Sequence, residues 1–237
     1  MFVETHSRSA IKAVSWRLTG TLATGLIVYL LTASWGAALT IGIVEFVSKF
    51  ALFFVHERAW DKIKYGRQQK KPVVIWLTGL SGAGKSTIAE HLVKKLVQMG
   101  HKVEHLDGDS IRNLFPSTGF SNADRDQHIR RVGFLASRLE KHGIDVVASL
   151  ISPQQESRQF VRGLCTNFIE VYVSTSLEEC EKRDPKGLYA KARRGEIFNF
   201  TGISSLYEKP ENPEITIDTI NITAEQAAEK ILKTLTR

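Results

Sequence analysis

The segment that most limits how this chain can fold is glycine-rich and short, GLSGAGKST at residues 79–87. An apolar, β-branched run precedes it at residues 73–78, and the spacing of apolar residues from 85 to about 99 predicts an amphipathic helix. A buried strand, a glycine turn and a helix in this order are the opening unit of a parallel α/β fold.

The chemistry of this loop follows from its residue types. Gly79, Gly84, Lys85 and Ser86 satisfy the spacing GxxxxGK[ST]. Glycines let backbone N–H groups face phosphate oxygens, the lysine can bridge the β- and γ-phosphates of ATP, and the Ser86 hydroxyl can meet Mg²⁺. We therefore expect ATP, with Mg²⁺, to be held by Gly79, Ser81, Gly82, Ala83, Gly84, Lys85, Ser86 and Thr87.

Further strand–helix units follow along the chain. Apolar runs predict strands that end at Asp107, at Ser152 and near Ser176, then a last strand within 215–223 and a closing helix at 224–235. This alternation predicts a P-loop NTPase-type parallel sheet with helices on both faces, and ligands at the carboxyl ends of its strands.

Polar side chains stand at those predicted strand ends. Asp107, Asp109 and Ser152 are the residues expected to meet substrate, with Asp107 also a water-mediated contact to Mg²⁺. An aspartate after a strand can instead cap a helix, and this alternative carries more weight for Asp109 than for Asp107.

Two arginine-rich stretches, at 119–131 and 183–203, stand out in a region that is otherwise nearly neutral. Solvated basic faces are the ordinary explanation for such runs. Here we expect both to lie beside the phosphate site, the second as a mobile lid whose Arg183 and Lys186 close over the transferred phosphoryl group. Phe120, Phe198 and Phe200 stand in the same polar surroundings and could stack a base.

The amino-terminal part has a different character. No charged residue occurs from 18 to 44, and one helix over 18–55 would be roughly 57 Å long against a hydrocarbon core of about 30 Å. Two crossings fit better, with helices near 16–33 and 35–55 and a break at 32–36. We expect a membrane hairpin over residues 1–71 and a kinase domain over 72–237.

Charge supports this division. The chain carries a formal net charge of +7, and residues 1–71 hold 10 Lys and Arg against 4 Asp and Glu, while residues 72–237 hold 22 against 21. The larger part therefore offers no basic field for a nucleic acid. Cations flank the apolar stretch on both outer sides, so the positive-inside rule predicts a two-helix membrane protein with both termini and the kinase domain on the cytoplasmic side of the lipid bilayer.

Two cysteines, Cys165 and Cys180, can build neither a disulfide framework nor a zinc cluster.

Specific motifs resemble known families. From 72 to 237 the chain resembles the adenylyl-sulfate kinases through GLSGAGKST, LDGDSIR, GFSNADRDQHIRR, SLISP, CEKRDPKGLYAKARRGEI, FTGI and YEKPENPE in order. Residues 8–66, which include IKAVSWR, IVEFVSKF and HERAWDKIKYG, resemble an uncharacterised family of two-helix membrane anchors. The first resemblance implies phosphorylation of the 3′-hydroxyl of adenosine 5′-phosphosulfate (APS) by ATP, in sulfate activation.

The resemblance also implies roles for single residues. Phe120 and Phe200 would sandwich the adenine of APS, and Ser152 matches the serine of a proposed phosphoserine intermediate. In-line transfer from ATP needs no covalent step, so we expect Ser152 to position substrate instead. The acceptor site is expected to contain Asp107, Ser110, Arg112, Phe120, Arg125, His128, Ile151, Ser152, Lys186, Phe200 and Thr201.

The chain departs from the family pattern at the acceptor site. Asparagine is usual where Ser110 and His128 stand, and an aromatic residue followed by arginine is usual where Gln154 and Gln155 stand. These differences leave open a kinase for another nucleotide's sugar hydroxyl. A membrane-bound nucleotide sensor without turnover is the alternative of another class, and a homodimer is also left open.

Overall fold

The computed structural model describes residues 2–4, 6–31, 35–63, 65, 67–69, 71–115 and 119–235. The chain divides into two compact units, Met1–Lys70 and Lys71–Arg237.

The first unit contains two long helices and a small antiparallel sheet. Its elements are β1 (Phe2–Glu4), α1 (His6–Leu31), α2 (Trp35–Lys62) and β2 (Arg67–Gln69), with β1 paired to β2. The sequence predicted a break between the helices at 32–36; α2 begins at Trp35, and residues 32–34 lie outside the described part of the chain.

Both helices are longer than predicted, because polar side chains pair between them beyond the apolar stretch. The buried Arg8 donates hydrogen bonds to the carbonyls of Trp60 (2.7 Å) and Ile63 (2.8 Å), and Lys12 pairs with Glu57 at 3.1 Å. Arg8 thereby binds the carboxyl end of α2 and the residue after it, in addition to the bond that the Trp60 carbonyl accepts from the Ile63 N–H. We expected α1 and α2 to cross a membrane; within the part of the chain that the structure describes, no helix combines the length and the apolar character that a crossing requires.

The second unit is built on a five-stranded parallel sheet, as predicted. Its strands are β3 (Val74–Thr78), β4 (Val103–Asp107), β5 (Asp145–Ser149), β6 (Phe168–Val173) and β7 (Ile215–Ile217), in the spatial order β4-β5-β3-β6-β7. The chain leaves β3 toward β4 on one side and returns to β6 on the other, so the strand order reverses at β3. Ligands of parallel sheets bind at such reversal points.

Seven helices of the described chain accompany the sheet. They are α3 (Lys85–Gln98), α4 (Gly108–Asn113), α5 (Asn122–Lys141), α6 (Gln155–Leu164), α7 (Leu177–Arg183), α8 (Leu188–Arg193) and α9 (Ala224–Leu235). The predicted opening and closing helices are thus confirmed within a residue, and the arginine-rich stretch at 183–203 contains the short helix α8.

The two hydrophobic cores lie on opposite faces of the sheet. Ile75 and Leu77 face a cluster that contains residues of α3 and α9, whereas Val74 and Trp76 face a second cluster with residues of α5 and α6. Successive side chains of a strand point to opposite faces, so a strand covered on both faces is apolar at every position. Both faces of β3 are thus packed directly before the glycine loop.

Candidate active site

A cavity of about 780 Å³ lies at the carboxyl ends of the strands. The predicted site residues that line it are Ser81, Gly82, Gly84, Lys85, Ser86, Thr87, Asp107, Asp109, Arg112, Phe120, Arg125, His128, Ile151, Ser152, Arg183, Lys186, Phe200 and Thr201. Gly79, Ala83 and Ser110 belong to the predicted set but are not in the cavity wall.

The glycine loop has a backbone that other residues could not adopt easily. Gly79, Gly82 and Gly84 all have positive φ, and a Cβ atom on Gly79 would lie 2.4 Å from the carbonyl oxygen of Val173. Gly84 is the N-cap of α3 and offers no capping side chain. The first N–H groups of α3 therefore have no side-chain cap, which suits them to phosphate oxygens.

Lys85 is 8% exposed and bends back over this loop. Its ammonium group donates a hydrogen bond to the carbonyl of Leu80 at 2.7 Å. Burial lowers the pKa of Lys85 to about 8, because the charged form loses hydration. Phosphate oxygens bound in the loop would place additional negative charge beside this ammonium group.

Asp107 links the glycine loop to the end of β4. Its carboxylate accepts hydrogen bonds from the hydroxyls of Ser86 and Ser149, each at 3.3 Å, and caps α4 by accepting from the backbone N–H of Ser110 at 3.1 Å. Burial opposes the charge, but the bonds from Ser110, Ser86 and Ser149 outweigh it and lower the pKa of the Asp107 carboxyl. The capping that the sequence favoured at Asp109 thus belongs to Asp107, because Asp107 is the last residue of the strand.

Two other predicted residues have partners close by. Asp109 forms an ion pair with Lys186 at the exposed edge of the cavity. Ser110 was expected to touch substrate. In the structure its hydroxyl donates to the Asp107 carboxylate at 3.2 Å, and it is not among the residues that line the cavity.

Arg125 ties α5 to the segment after α8. Its guanidinium donates to the hydroxyls of Thr201 (2.9 Å) and Ser205 (3.1 Å) and to the carbonyl of Asn199. We expected Arg125 to contact an anionic substrate directly. In the structure its guanidinium holds the wall that contains Thr201.

Aromatic side chains also line the cavity, among them Phe120, Phe198 and Phe200. Phe120 is 61% exposed, and the Arg112 guanidinium lies 4.7 Å from its ring centre. Phe200 is buried and meets Tyr189 edge to face at 5.0 Å, whereas Phe198 is 81% exposed. Phe120 is therefore the more accessible of the two phenylalanines expected to sandwich adenine.

Ser152 is buried in a hydroxyl network that the sequence did not reveal. The indole of Trp76 donates to the Ser152 hydroxyl at 3.1 Å, this hydroxyl donates to Thr78 at 2.9 Å, and Thr78 donates to the carbonyl of Ile151 at 2.8 Å. The Ser152 proton and one lone pair are thus engaged. Trp76 and Thr78 belong to a run of residues whose apolar pattern predicts only a buried strand. The sequence therefore indicated a site after this strand, but not the hydrogen bonds of its own side chains.

His128 is 2% exposed and lines the cavity. No group of the described residues meets hydrogen-bond geometry at either ring nitrogen, although the Gly108 backbone lies close enough to favour the protonated ring. Burial, reinforced by the nearby charge of Arg112, lowers the pKa of His128 to about 4. A contact-free surface histidine, the ordinary alternative at this position, is therefore excluded.

Arg183 is held beside the glycine loop by a residue that the sequence analysis missed. Its guanidinium donates to the hydroxyl of Thr219 at 2.8 Å, and that hydroxyl donates to the carbonyl of Ala83 at 3.1 Å. Ala83 therefore contributes its backbone carbonyl, which anchors the glycine loop to Thr219. Thr219 follows β7 and could have been found as another polar residue beyond a strand end.

The donor set fits Mg²⁺. The Ser86 hydroxyl and the Asp107 carboxylate are adjacent oxygen atoms of the kind that Mg²⁺ prefers. Among the described residues, no group of three or more His, Cys, Asp or Glu side chains is arranged to hold a metal ion. Mg²⁺ in nucleotide sites uses few protein ligands, with phosphates and water completing the shell.

Comparison with known families agrees with the two units. Residues 71–218 match the adenylylsulphate kinase family, and residues 10–61 match DUF2061, a family of predicted membrane proteins.

Individual relatives extend the comparison. The chain is 51% identical over 169 residues to the adenylyl-sulfate kinase of Microcystis aeruginosa, covering 71% of this chain and 93% of the relative. It is 52% identical to that of Staphylococcus epidermidis over 178 residues, 73% and 89% of the two chains. The APS kinase of Mycobacterium tuberculosis, solved in complex with AMPPNP and APS, aligns with a TM-score of 0.68 at 40% identity, over 70% of this chain and 99% of that one. The chain therefore belongs to the adenylyl-sulfate kinase family of enzymes.

Proposed function

We propose that this protein transfers the γ-phosphoryl group of ATP to the 3′-hydroxyl of APS, which yields 3′-phosphoadenosine 5′-phosphosulfate and ADP. One observation carries the proposal: a single cavity joins the glycine loop with Lys85 to a wall that contains Phe120 and Arg125. A phosphate donor and a nucleotide acceptor could both bind there. The tuberculosis relative, crystallised with a nucleotide analogue and APS together, supports this assignment.

At the donor end, Lys85 and the first N–H groups of α3 would hold the β- and γ-phosphates. Ser86 and Asp107 would hold Mg²⁺, the latter through water, and the ion would neutralise charge on the transferred group. Arg183 is fixed beside the loop by Thr219 and would contribute a further positive charge near the nucleotide.

At the acceptor end, the 3′-oxygen attacks the γ-phosphorus while the bond to the ADP oxygen breaks. The attacking hydroxyl must release its proton, and Asp107 is the acceptor the geometry favours, because its carboxylate is ionised and lies beside Ser86. Asp109 is the alternative, and in the structure it is neutralised by Lys186. The Ser152 hydroxyl already accepts a hydrogen bond from Trp76 and donates one to Thr78. Ser152 would therefore position the acceptor indirectly, by holding the neighbouring residues of the cavity wall in place.

A kinase for another nucleotide's sugar hydroxyl is the second candidate. The observation that favours it is His128, which lines the cavity where the family usually has asparagine, and whose ring differs from an amide in size and in the spacing of its donor and acceptor. An assay of ADP release with ATP and a panel of nucleotides decides between the two, with Lys85→Ala as the blank. APS should give the highest kcat/KM; a higher value for another nucleotide selects the second candidate, and ATP binding without turnover selects the sensor.

We also propose that residues 1–71 attach the kinase to a membrane as a two-helix hairpin, with both termini on the cytoplasmic side. The uncharged stretch at 18–44, the cations outside it and the match to a family of predicted membrane proteins support this. Single cysteines in place of Ser9, Trp35 and Gln69, in a variant without Cys165 and Cys180, test it with an impermeant thiol reagent on intact cells. Labelling at position 35 alone is expected, whereas labelling at a flank contradicts this topology.

A homodimer remains a prediction. Light scattering of the purified full chain measures its oligomeric state directly.

A further inference from the structure

We infer that Arg158 is a positioning residue for the acceptor site, which it shapes by fixing the Ile151–Pro153 wall from behind with the help of Glu170. This inference rests on the proposed function, because it assigns that wall to the acceptor. Arg158 is 1% exposed and is not in the cavity lining, so it acts through other residues.

The guanidinium of Arg158 joins three pieces of chain. One Nη donates to the carbonyl of Ser152 at 2.7 Å, and the other donates to the carbonyl of Glu208 at 2.8 Å and to the side chain of Gln155. The segment at 207–208 is thereby held against the wall. It is also bound to the wall by its own backbone, because Glu208 N–H donates to the carbonyl of Pro153 at 2.9 Å.

Ser152 needs such support. Its φ is +38°, an unfavourable conformation for a residue with a Cβ atom. Such conformations persist when surrounding contacts over-determine them. Here the hydroxyl of Ser152 is held by Trp76 and Thr78 on one side, and its carbonyl is held by the charge-assisted bond from Arg158 on the other.

Glu170 on β6 supplies the counter-charge. Its Oε1 lies 2.8 Å from Nε of Arg158, and both side chains are buried. A buried ion pair is a poor source of stability, since desolvation offsets most of its attraction. The planar guanidinium of Arg158, with five donors in fixed positions, is instead suited to holding several carbonyl groups in one arrangement.

Arg162 provides a matched control. It lies one turn further along α6, also contacts Glu170, at 3.3 Å, and pairs with Glu214 at 2.5 Å. Its described partners do not include residues of the Ile151–Pro153 wall. A change at Arg162 thus disturbs the same ion network without releasing the wall.

The test compares Arg158→Lys and Arg158→Met with Arg162→Lys and Arg162→Met in the full chain. We expect Arg158→Met to raise KM for APS about tenfold or more, while KM for ATP changes less than about twofold, and we expect Arg158→Lys to recover part of the loss. The Arg162 variants should leave both KM values within about twofold of wild type. Equal effects of the two arginines, or KM for ATP moving together with KM for APS, would overturn the inference.

A second readout does not need activity. Hydrogen exchange of the amides at 150–155 should become faster in Arg158→Lys and stay at the wild-type rate in Arg162→Lys; unchanged exchange in Arg158→Lys contradicts the inference even if Arg158→Met does not fold. Absence of APS turnover in the wild type would refute the proposed function, while the exchange comparison would still decide the role of Arg158.

Discussion

The Ser86 hydroxyl donates a hydrogen bond to the Asp107 carboxylate across 3.3 Å, and this bond joins the glycine loop to the end of β4. The same carboxylate caps α4 and accepts a bond from Ser149. One side chain therefore sets the geometry of the donor loop, an adjacent helix and the region where an acceptor hydroxyl would lose its proton. Its structural and catalytic contributions can be separated by substitution.

Asp107→Asn should remove the charge but keep the cap, because asparagine is as good an N-cap as aspartate. We expect kcat to fall about 100-fold or more with little change in melting temperature. Asp107→Ala loses the cap as well and should cost about 1 kcal/mol of stability. Steady-state kinetics and thermal unfolding of both variants measure the two effects. Near-normal turnover in Asp107→Asn would assign proton acceptance elsewhere, with Asp109→Asn as the next variant.

Asp107 illustrates which features of the site can be predicted from the sequence and which cannot. The loop at 79–87 and the polar residues after strands mark the cavity, because spacing along the chain fixes which residues reach one edge of a parallel sheet. Which aspartate caps a helix depends on where the strand stops, and that is settled by packing. The same holds for Arg158, whose partners include Glu170 and Glu208 further along the chain and whose position on a polar helix resembles that of an ordinary solvated arginine.

Lys85 should give ATP binding a pH dependence. With a pKa of about 8 in the free protein, the ammonium loses its proton as the pH rises through that value. The phosphates of ATP are already fully ionised there, since their last pKa is near 6. We expect affinity for a non-hydrolysable ATP analogue to weaken by up to about tenfold between pH 7 and pH 9.

Lys85→Arg is the control for this effect. Arginine keeps its charge throughout this range, so the variant should bind more weakly than wild type but with no pH slope. Titration calorimetry in buffers of different ionisation enthalpy should show proton uptake near pH 8.5 for the wild type alone. Equal wild-type affinities at both pH values would contradict a depressed Lys85 pKa.

Gly79 should tolerate alanine poorly. Both Gly79 and Gly100 have positive φ, so alanine introduces backbone strain of about 1–2 kcal/mol at either position. At Gly100 the added Cβ meets open space, but at Gly79 it would lie 2.4 Å from the carbonyl of Val173. Overlap in a packed site adds about 1–3 kcal/mol. Chemical denaturation should therefore show a clearly larger loss for Gly79→Ala, and equal losses would mean that the loop relaxes freely.

Burial of His128 changes the pH dependence that we expect for this residue. From the sequence, a histidine on the substrate face could gain a proton and attract an anionic acceptor. In the structure the ring is buried, and burial lowers its pKa to about 4. Arg112 and Arg131 also oppose a positive charge there, while the Gly108 backbone and Asp109 favour one. The ring is neutral at physiological pH and offers one donor and one acceptor, as an asparagine amide does. KM for APS should then have the same pH profile in wild type and His128→Asn between pH 6 and 8.

The stability of the folded chain provides the sharper test of His128. Its folded pKa of about 4 is below the ordinary value of 6.5, so between these two values the unfolded chain binds a proton that the folded chain excludes. Stability is therefore lost as the pH falls from about 6.5 toward 4, by about 1–2 kcal/mol at pH 5. His128→Asn has no such proton and should lose less stability than wild type between pH 7 and pH 5. Thermal unfolding at the two pH values measures the difference. His128→Phe, which has neither the proton nor a polar atom to offer the acceptor, should share the acid resistance but raise KM for APS. If wild type and His128→Asn lose the same stability on acidification, the ring is not buried in its neutral form.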